Sequence, residues 1–133
     1  HLAAEGRVPR LNQKQGMPAV ALTTDTSILT AVANDFGFSQ IFRRQVEAIG
    51  RPGDLLFGIS TSGSSENIVE AFKAARTNEI TTVALTGIHP TTPMAKEADL
   101  AVCVPSEKTP RIQELHATIG HIICDLIEQS LFP

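Results

Sequence analysis

The chain has 133 residues, a net charge of −3 and no basic run longer than Arg43-Arg44. That length holds one domain with a true core, and that charge argues against nucleic acid as the main ligand. No apolar stretch reaches the length of a membrane span and no signal peptide is visible.

Position 1 is His rather than Met, so the numbering is expected to start inside a longer polypeptide. His1 and Glu5 are four apart and share one face of a helix. Gly6 to Gly16 carries Pro9 and reads as a loop. Pro18 to Thr23 (PAVALT) reads as a short buried strand. Asp25 or Thr24 caps a helix carrying Ile28, Leu29 and Val32, which ends at Asn34-Asp35-Phe36-Gly37. A second helix starts at Ser39, with Ile41, Phe42, Val46 and Ile49 inward and Gly50 at its end. Arg51-Pro52-Gly53 then turns the chain.

The stretch from Asp54 to Arg76 carries the strongest signal. Leu55, Leu56, Phe57 and Ile59 form a nearly continuous apolar run, the pattern of a strand covered on both faces. Ser60 to Ser65 packs five hydroxyls and one glycine into six residues. Ile68, Val69, Phe72 and Ala75 follow at helical spacing, with Ser64 or Ser65 as the cap. A helix start offers unpaired N–H groups and a partial positive charge. One serine suffices for a cap, whereas five hydroxyls beside those N–H groups suit an anion, most naturally a phosphate monoester. No Lys follows the glycine, which disfavours a nucleoside triphosphate.

Thr81 to Thr86 is a further strand, and Gly87 to Pro93 a loop holding His89. Met94 to Ala98 is one helical turn, Asp99 to Val104 a fourth strand, and Pro105 to Pro110 a loop. Arg111 to Leu131 is the longest helix, with Ile112, Leu115, Ile119, Ile122, Ile123, Leu126 and Ile127 forming a broad apolar face that predicts burial against other subunits. Cys103 and Cys124 sit in apolar contexts and are expected to be buried free thiols of a cytosolic protein. Strands alternating with helices predict an α/β fold with a parallel sheet. Ligands bind beyond the carboxyl ends of such strands, where Ser60 to Ser65, Thr23 to Asp25 and Thr86-Gly87 fall. Gln113, Glu114, His116 and His121 interrupt the last helix. A lone His there reads as a satisfied core or interface residue; joined to His1 and Glu5, it makes a metal or acid/base set possible.

The runs ALTTDTSILTAVANDFGF, LLFGISTSGSSENIVEAFKAAR and TPRIQELHATIGHIICDLIE together resemble the sugar isomerase (SIS) domain family, and within it the phosphoheptose (sedoheptulose-7-phosphate) isomerases. The resemblance covers nearly the whole chain. It implies a three-layer α/β/α sandwich with a mostly parallel, flavodoxin-like sheet, a single SIS domain over 1–133 lacking the family's N-terminal helical segment and glycine-rich loop, and a cytoplasmic homotetramer. It implies aldose–ketose isomerisation of sedoheptulose 7-phosphate, a step toward lipopolysaccharide core precursors. It implies a phosphate loop at Ser60, Thr61, Ser62 and Ser65, with Asn34, Asp35, Gln113 and Glu5 at the substrate. It implies zinc on His1, Glu5, Gln113 and His121, with Glu5 as base and His121 as acid. His116 and His89 match no such role and are expected at a surface, loop or interface. Gln113 and His121 lie eight residues apart, about 12 Å along a straight helix, so both reach one ion only by leaning together. Gly6 to Gln15 fits the family pattern poorly, and Ser64 stands where Asn is common. Two other readings stay open: a non-enzymatic adaptor like the DnaA initiator-associating protein, whose homologues lack this glutamate and last histidine, and a sugar-phosphate-sensing domain, which needs the loop alone.

Overall fold

The computed structural model describes residues 2–7 and 16–131. His1, and the poorly fitting stretch from 8 to 15, lie outside the described residues. The helices are α1 (Leu2–Arg7), α2 (Thr26–Phe36), α3 (Arg43–Ile49), α4 (Glu66–Thr77), α5 (Pro93–Glu97) and α6 (Thr109–Leu131). The strands are β1 (Leu55–Ile59), β2 (Thr81–Thr86) and β3 (Leu100–Cys103). No helix among the described residues is long and apolar enough to cross a membrane.

The chain forms two compact units. One spans Leu22–Gln113; the other draws on the described residues of His1–Ala21 and Glu114–Pro133, so the division falls within α6. In the larger unit the three strands are parallel in the order β1-β2-β3. The α/β class with a parallel sheet is as expected. β2 is central, and Thr82 to Thr86 are all buried. Its register with β3 is pinned by side chains: the Asp99 carboxylate accepts from the Thr82 N–H at 2.7 Å and from the Thr82 hydroxyl at 2.8 Å. The Asp99 N–H in turn donates to that hydroxyl at 3.0 Å.

Two apolar clusters fill the unit. Val46, Ala71, Ala74, Ala75 and Ile80 form one, joined by Leu22, Phe42 and Leu56. Phe72, Ala84 and Met94 form the other, with Ile68, Val69 and Ala101 against it. The α4 residues of these clusters recur at helical spacing, so one face of α4 serves both. Across the outer face, Glu70 pairs with Arg43 of α3 at 3.0 Å and with Lys73 at 2.6 Å. Such half-exposed pairs add little to stability.

Several expectations need correction. Residues 18 to 23 form no strand: 18 to 21 have no regular structure and Leu22-Thr23 is a turn. Pro18 supplies no N–H to a ladder, which restricts such a segment to a sheet edge or to no strand at all. Thr23 to Asp25 therefore does not follow a strand end. β1 is not covered on both faces; it is an edge of the described sheet, with Leu55 50% and Ile59 47% exposed. The helix placed from Ser39 is a 3-10 turn over Phe38–Gln40 followed by α3. Ile41 and Val46 point inward as expected, but Ile49 is 55% exposed. Both cysteines are free, and they are half-buried rather than buried.

Candidate functional site

In the larger unit the chain leaves β1 into Ser60–Ser65 and enters α4. Ser65 occupies the N-cap position, yet its side chain makes no capping hydrogen bond. The Ser65 hydroxyl instead meets that of Ser60 at 2.8 Å. Ser60 Oγ also lies 3.3 Å from Ser62 Oγ, and Ser64 donates to Ser62 Oγ through its hydroxyl at 3.0 Å and its N–H at 3.3 Å. Four serine hydroxyls thus converge at the start of a twelve-residue helix. This is more than capping uses, as the count of hydroxyls suggested. Each hydroxyl can donate to an anion once it stops bonding to its neighbour.

The backbone of the loop is tied to its surroundings. Ser60 N–H donates to Leu85 O at 3.0 Å, Gly87 N–H to Thr61 O at 3.1 Å, and Met94 N–H to Gly63 O at 3.0 Å. The carboxyl ends of β1 and β2 are thereby joined, at the edge where parallel sheets take ligands. The loop holds no Lys or Arg, so the α4 start and the hydroxyls supply its attraction for an anion.

Asn34 and Asp35 lie exposed in the last turn of α2, with the Asn34 amide donating to the Asp35 carboxylate at 2.8 Å. The N-cap of this helix is Asp25, whose side chain accepts from Ile28 N–H at 3.0 Å. An acid is favourable there and unfavourable at the opposite end of the dipole, where Asp35 sits with no basic residue in its turn. Asp35 therefore adds nothing to the stability of its own helix. Gln113 is exposed on α6.

The smaller unit brings together residues from the two ends of the chain. Glu5 on α1 and His121 on α6 meet with Oε1 2.7 Å from Nδ1. The Glu5 side chain is only 12% exposed and that of His121 53%, so the carboxylate is sheltered and the imidazole faces out. Beside them the helices approach closely: a Cβ on Gly120 would lie 3.1 Å from Leu2 Cδ1. Glycine at 120 lets α1 settle one residue away from His121. Cys124, three residues beyond His121, shares that face of α6. Burial, and then the charge and hydrogen bond of the Glu5 carboxylate, push its thiol up from the ordinary range.

Among the described residues no group of three or more His, Cys, Asp and Glu could hold a metal ion. Glu5 and His121 bring a carboxylate oxygen and an imidazole nitrogen to one place, and these are zinc-type donors. The donor chemistry present therefore fits half of the expected ligand set. His116 is 7% exposed, a buried residue of α6, in line with the reading of a lone His on this helix as a core or interface residue. His89 is exposed in the loop after β2, as expected. Sequence reasoning gave Cys124 no part in a site and counted Ser64 only as a candidate cap and one of the five hydroxyls of the turn. For Cys124 a signal existed, its i+3 relation to His121.

A family model described as SIS domain matches residues 4–87. The phosphoheptose isomerase of Roseiflexus sp. is 50% identical over 99% of this chain and 66% of its own length. That of Sulfurimonas denitrificans is 54% identical over 99% of this chain and 67% of its own. A solved phosphoheptose isomerase from Francisella tularensis superposes with a TM-score of 0.91 at 39% identity, over 97% of this chain and 69% of that one. Another, from Neisseria gonorrhoeae, superposes at 0.86 and 46% identity, over 96% and 67%. The chain thus spans about two thirds of the length of these relatives.

Proposed function

Because the chain belongs to the SIS domain family, among the phosphoheptose isomerases, we propose that it is part of an enzyme that isomerises sedoheptulose 7-phosphate to D-glycero-D-manno-heptose 7-phosphate through an enediol. The observation that carries this reading is the contact between Glu5 and His121 at 2.7 Å. A phosphate-binding module needs the serine loop alone; a sheltered carboxylate held against an imidazole is what proton transfer between two carbons and two oxygens requires.

Glu5 takes the proton from the carbon beside the carbonyl. The C–H electron pair becomes the enediol double bond, and the carbonyl oxygen takes a proton from His121. In the second half Glu5 returns its proton to the former carbonyl carbon, while His121 recovers one from the hydroxyl of the carbon first deprotonated, whose O–H pair forms the new carbonyl, so both residues end as they began. Ser60, Thr61, Ser62 and Ser65 hold the phosphate through hydroxyl and N–H donors. Asn34 and Asp35 bind substrate hydroxyls, a role consistent with a carboxylate placed where its helix does not favour it. Gln113 adds a further polar contact.

Zinc is part of the proposal. Glu5 and His121, with His1, would hold it, and Gln113 is the fourth ligand the family resemblance implies. When bound, zinc supplies a Lewis acid that polarises a carbonyl oxygen. A single SIS domain assembled as a cytoplasmic homotetramer completes the reading. Leu115, Ile122 and Leu126 support the assembly: they are 42%, 53% and 58% exposed and fall on one side of α6, an apolar stripe suited to another subunit.

The test is solvent-deuterium incorporation at the sugar C1 and C2 by the full-length protein. Wild type should exchange, and Glu5→Gln should not, while sugar-phosphate binding persists. The swap keeps the shape and removes the basicity. Equal exchange in both removes Glu5 from the role of base; no exchange in zinc-loaded wild type turns the reading toward a non-enzymatic adaptor.

A further inference from the structure

The serine loop is shaped from behind by the segment between β2 and α5. Thr61 O accepts from Gly87 N–H and Gly63 O from Met94 N–H. All peptide bonds of the described chain are trans, and a trans peptide points its C=O and the next N–H in opposite directions. Tying those two carbonyls turns the N–H groups of Ser62 and Ser64 the other way. Ser64 N–H indeed lies 3.3 Å from Ser62 Oγ, on the side where the hydroxyls gather.

Gly63 is the weak point of this arrangement. Its φ of +66° is left-handed, and glycine alone allows the adjoining peptides to rotate at little cost. Thr92 stands directly against it. A Cβ at position 63 would lie 2.5 Å from Thr92 Oγ1, 2.7 Å from its Cβ and 2.8 Å from its Cγ2. Thr92 is itself fixed: it N-caps α5, with Oγ1 accepting from Ala95 N–H at 3.3 Å, and α5 is anchored by the fully buried Met94.

We propose that Thr92 is a positioning residue for phosphate binding, its branched side chain packed on Gly63 so that the loop keeps its N–H groups and hydroxyls facing the anion. The proposal rests on the reading of Ser60–Ser65 as the phosphate site. A loop without a cationic side chain depends on the orientation of every donor, so a slackened peptide costs affinity directly.

The experiment uses the full-length protein, inorganic phosphate as the probe of binding, and KM and kcat for sedoheptulose 7-phosphate. Thr92→Ala removes both branches and should raise the phosphate Kd and the KM about tenfold, the loss of one anion hydrogen bond, with kcat little changed. Thr92→Val keeps both branches but cannot cap Ala95, so its melting temperature should fall while phosphate affinity stays at the wild-type value. A Val variant that loses phosphate as Ala does would assign the effect to the α5 cap and overturn the proposal. So would a Thr92→Ala protein that binds phosphate normally, when Ser62→Ala with Ser65→Ala abolishes binding. Phosphate binding that is absent from wild type, or indifferent to the serine changes, removes the loop reading itself and the proposal with it.

Discussion

Removing the hydroxyls of Ser62 and Ser65 together is the most direct test of the serine loop. Each of the four hydrogen bonds of the hydroxyl cluster described above involves one of these two residues. In the free protein those contacts are neutral hydrogen bonds between groups that reach water. Each is worth about 0.5–1.5 kcal/mol at most, and water replaces much of that, so the double alanine variant should lose about 1 kcal/mol and a few degrees of melting temperature. With phosphate bound the same hydroxyls donate to a dianion, where each bond is worth about 1.5–3 kcal/mol. Two such bonds give about 3 kcal/mol or more, a loss of affinity of about 100-fold. Binding should therefore collapse while the fold persists. Titration calorimetry with inorganic phosphate and scanning calorimetry on the same samples separate the two effects. An affinity loss under about tenfold would refute the placement, because one charged hydrogen bond alone exceeds it. A collapse of the melting transition in step with binding would show that the serines build the loop rather than hold the anion.

Asp99 offers a test of how β2 and β3 are locked. Hydrogen bonds from the Thr82 N–H and then from the Thr82 hydroxyl hold its carboxyl below the usual aspartate range. A depressed folded-state value contributes stability that is complete above the ordinary value near about 4 and is lost as pH falls through the folded value. Asp99→Asn should thus lower the melting temperature at neutral pH and flatten its decline in acid; a curve parallel to wild type would remove Asp99 as the cause. Cys124 reports on Glu5 without any substrate. Burial and then the Glu5 carboxylate hold the thiol up, so Glu5→Gln should leave a lower thiol value and faster alkylation by iodoacetamide at a fixed pH, with burial still retarding it. An unchanged rate would place the carboxylate away from the thiol.

The elements that could be read from sequence are those whose signal is local. The periodic apolar positions of α4 and α6, the Asp25 cap and the β-branched run of β2 all depend on neighbours within a turn or a strand, and each appears as expected. The failures share one cause, which is that burial depends on partners far along the chain. Leu55 to Ile59 has the apolar content of a central strand, but Thr81 to Thr86, similar in composition, takes the middle of the sheet. Residues 18 to 23 have strand-like content and form no ladder.

The same distinction runs through the site. Five hydroxyls before an amphipathic helix are visible in a six-residue window, and the excess over what a cap uses is enough to suggest an anion. The structure sharpens that reading, because Ser65 holds the cap position and still directs its hydroxyl to Ser60. The pairing of Glu5 with His121 is different in kind. No spacing rule joins residues near opposite ends of a chain, and the contact exists because Gly120 lets Leu2 and its helix come within reach of α6. Thr92 is further still from any sequence signal: it reads as an ordinary helix cap, and only the space missing beside Gly63 shows that it touches the loop. Residues that bear chemistry announce themselves by type and clustering, whereas residues that hold them in place are ordinary in type and are recognisable only by where the fold puts them.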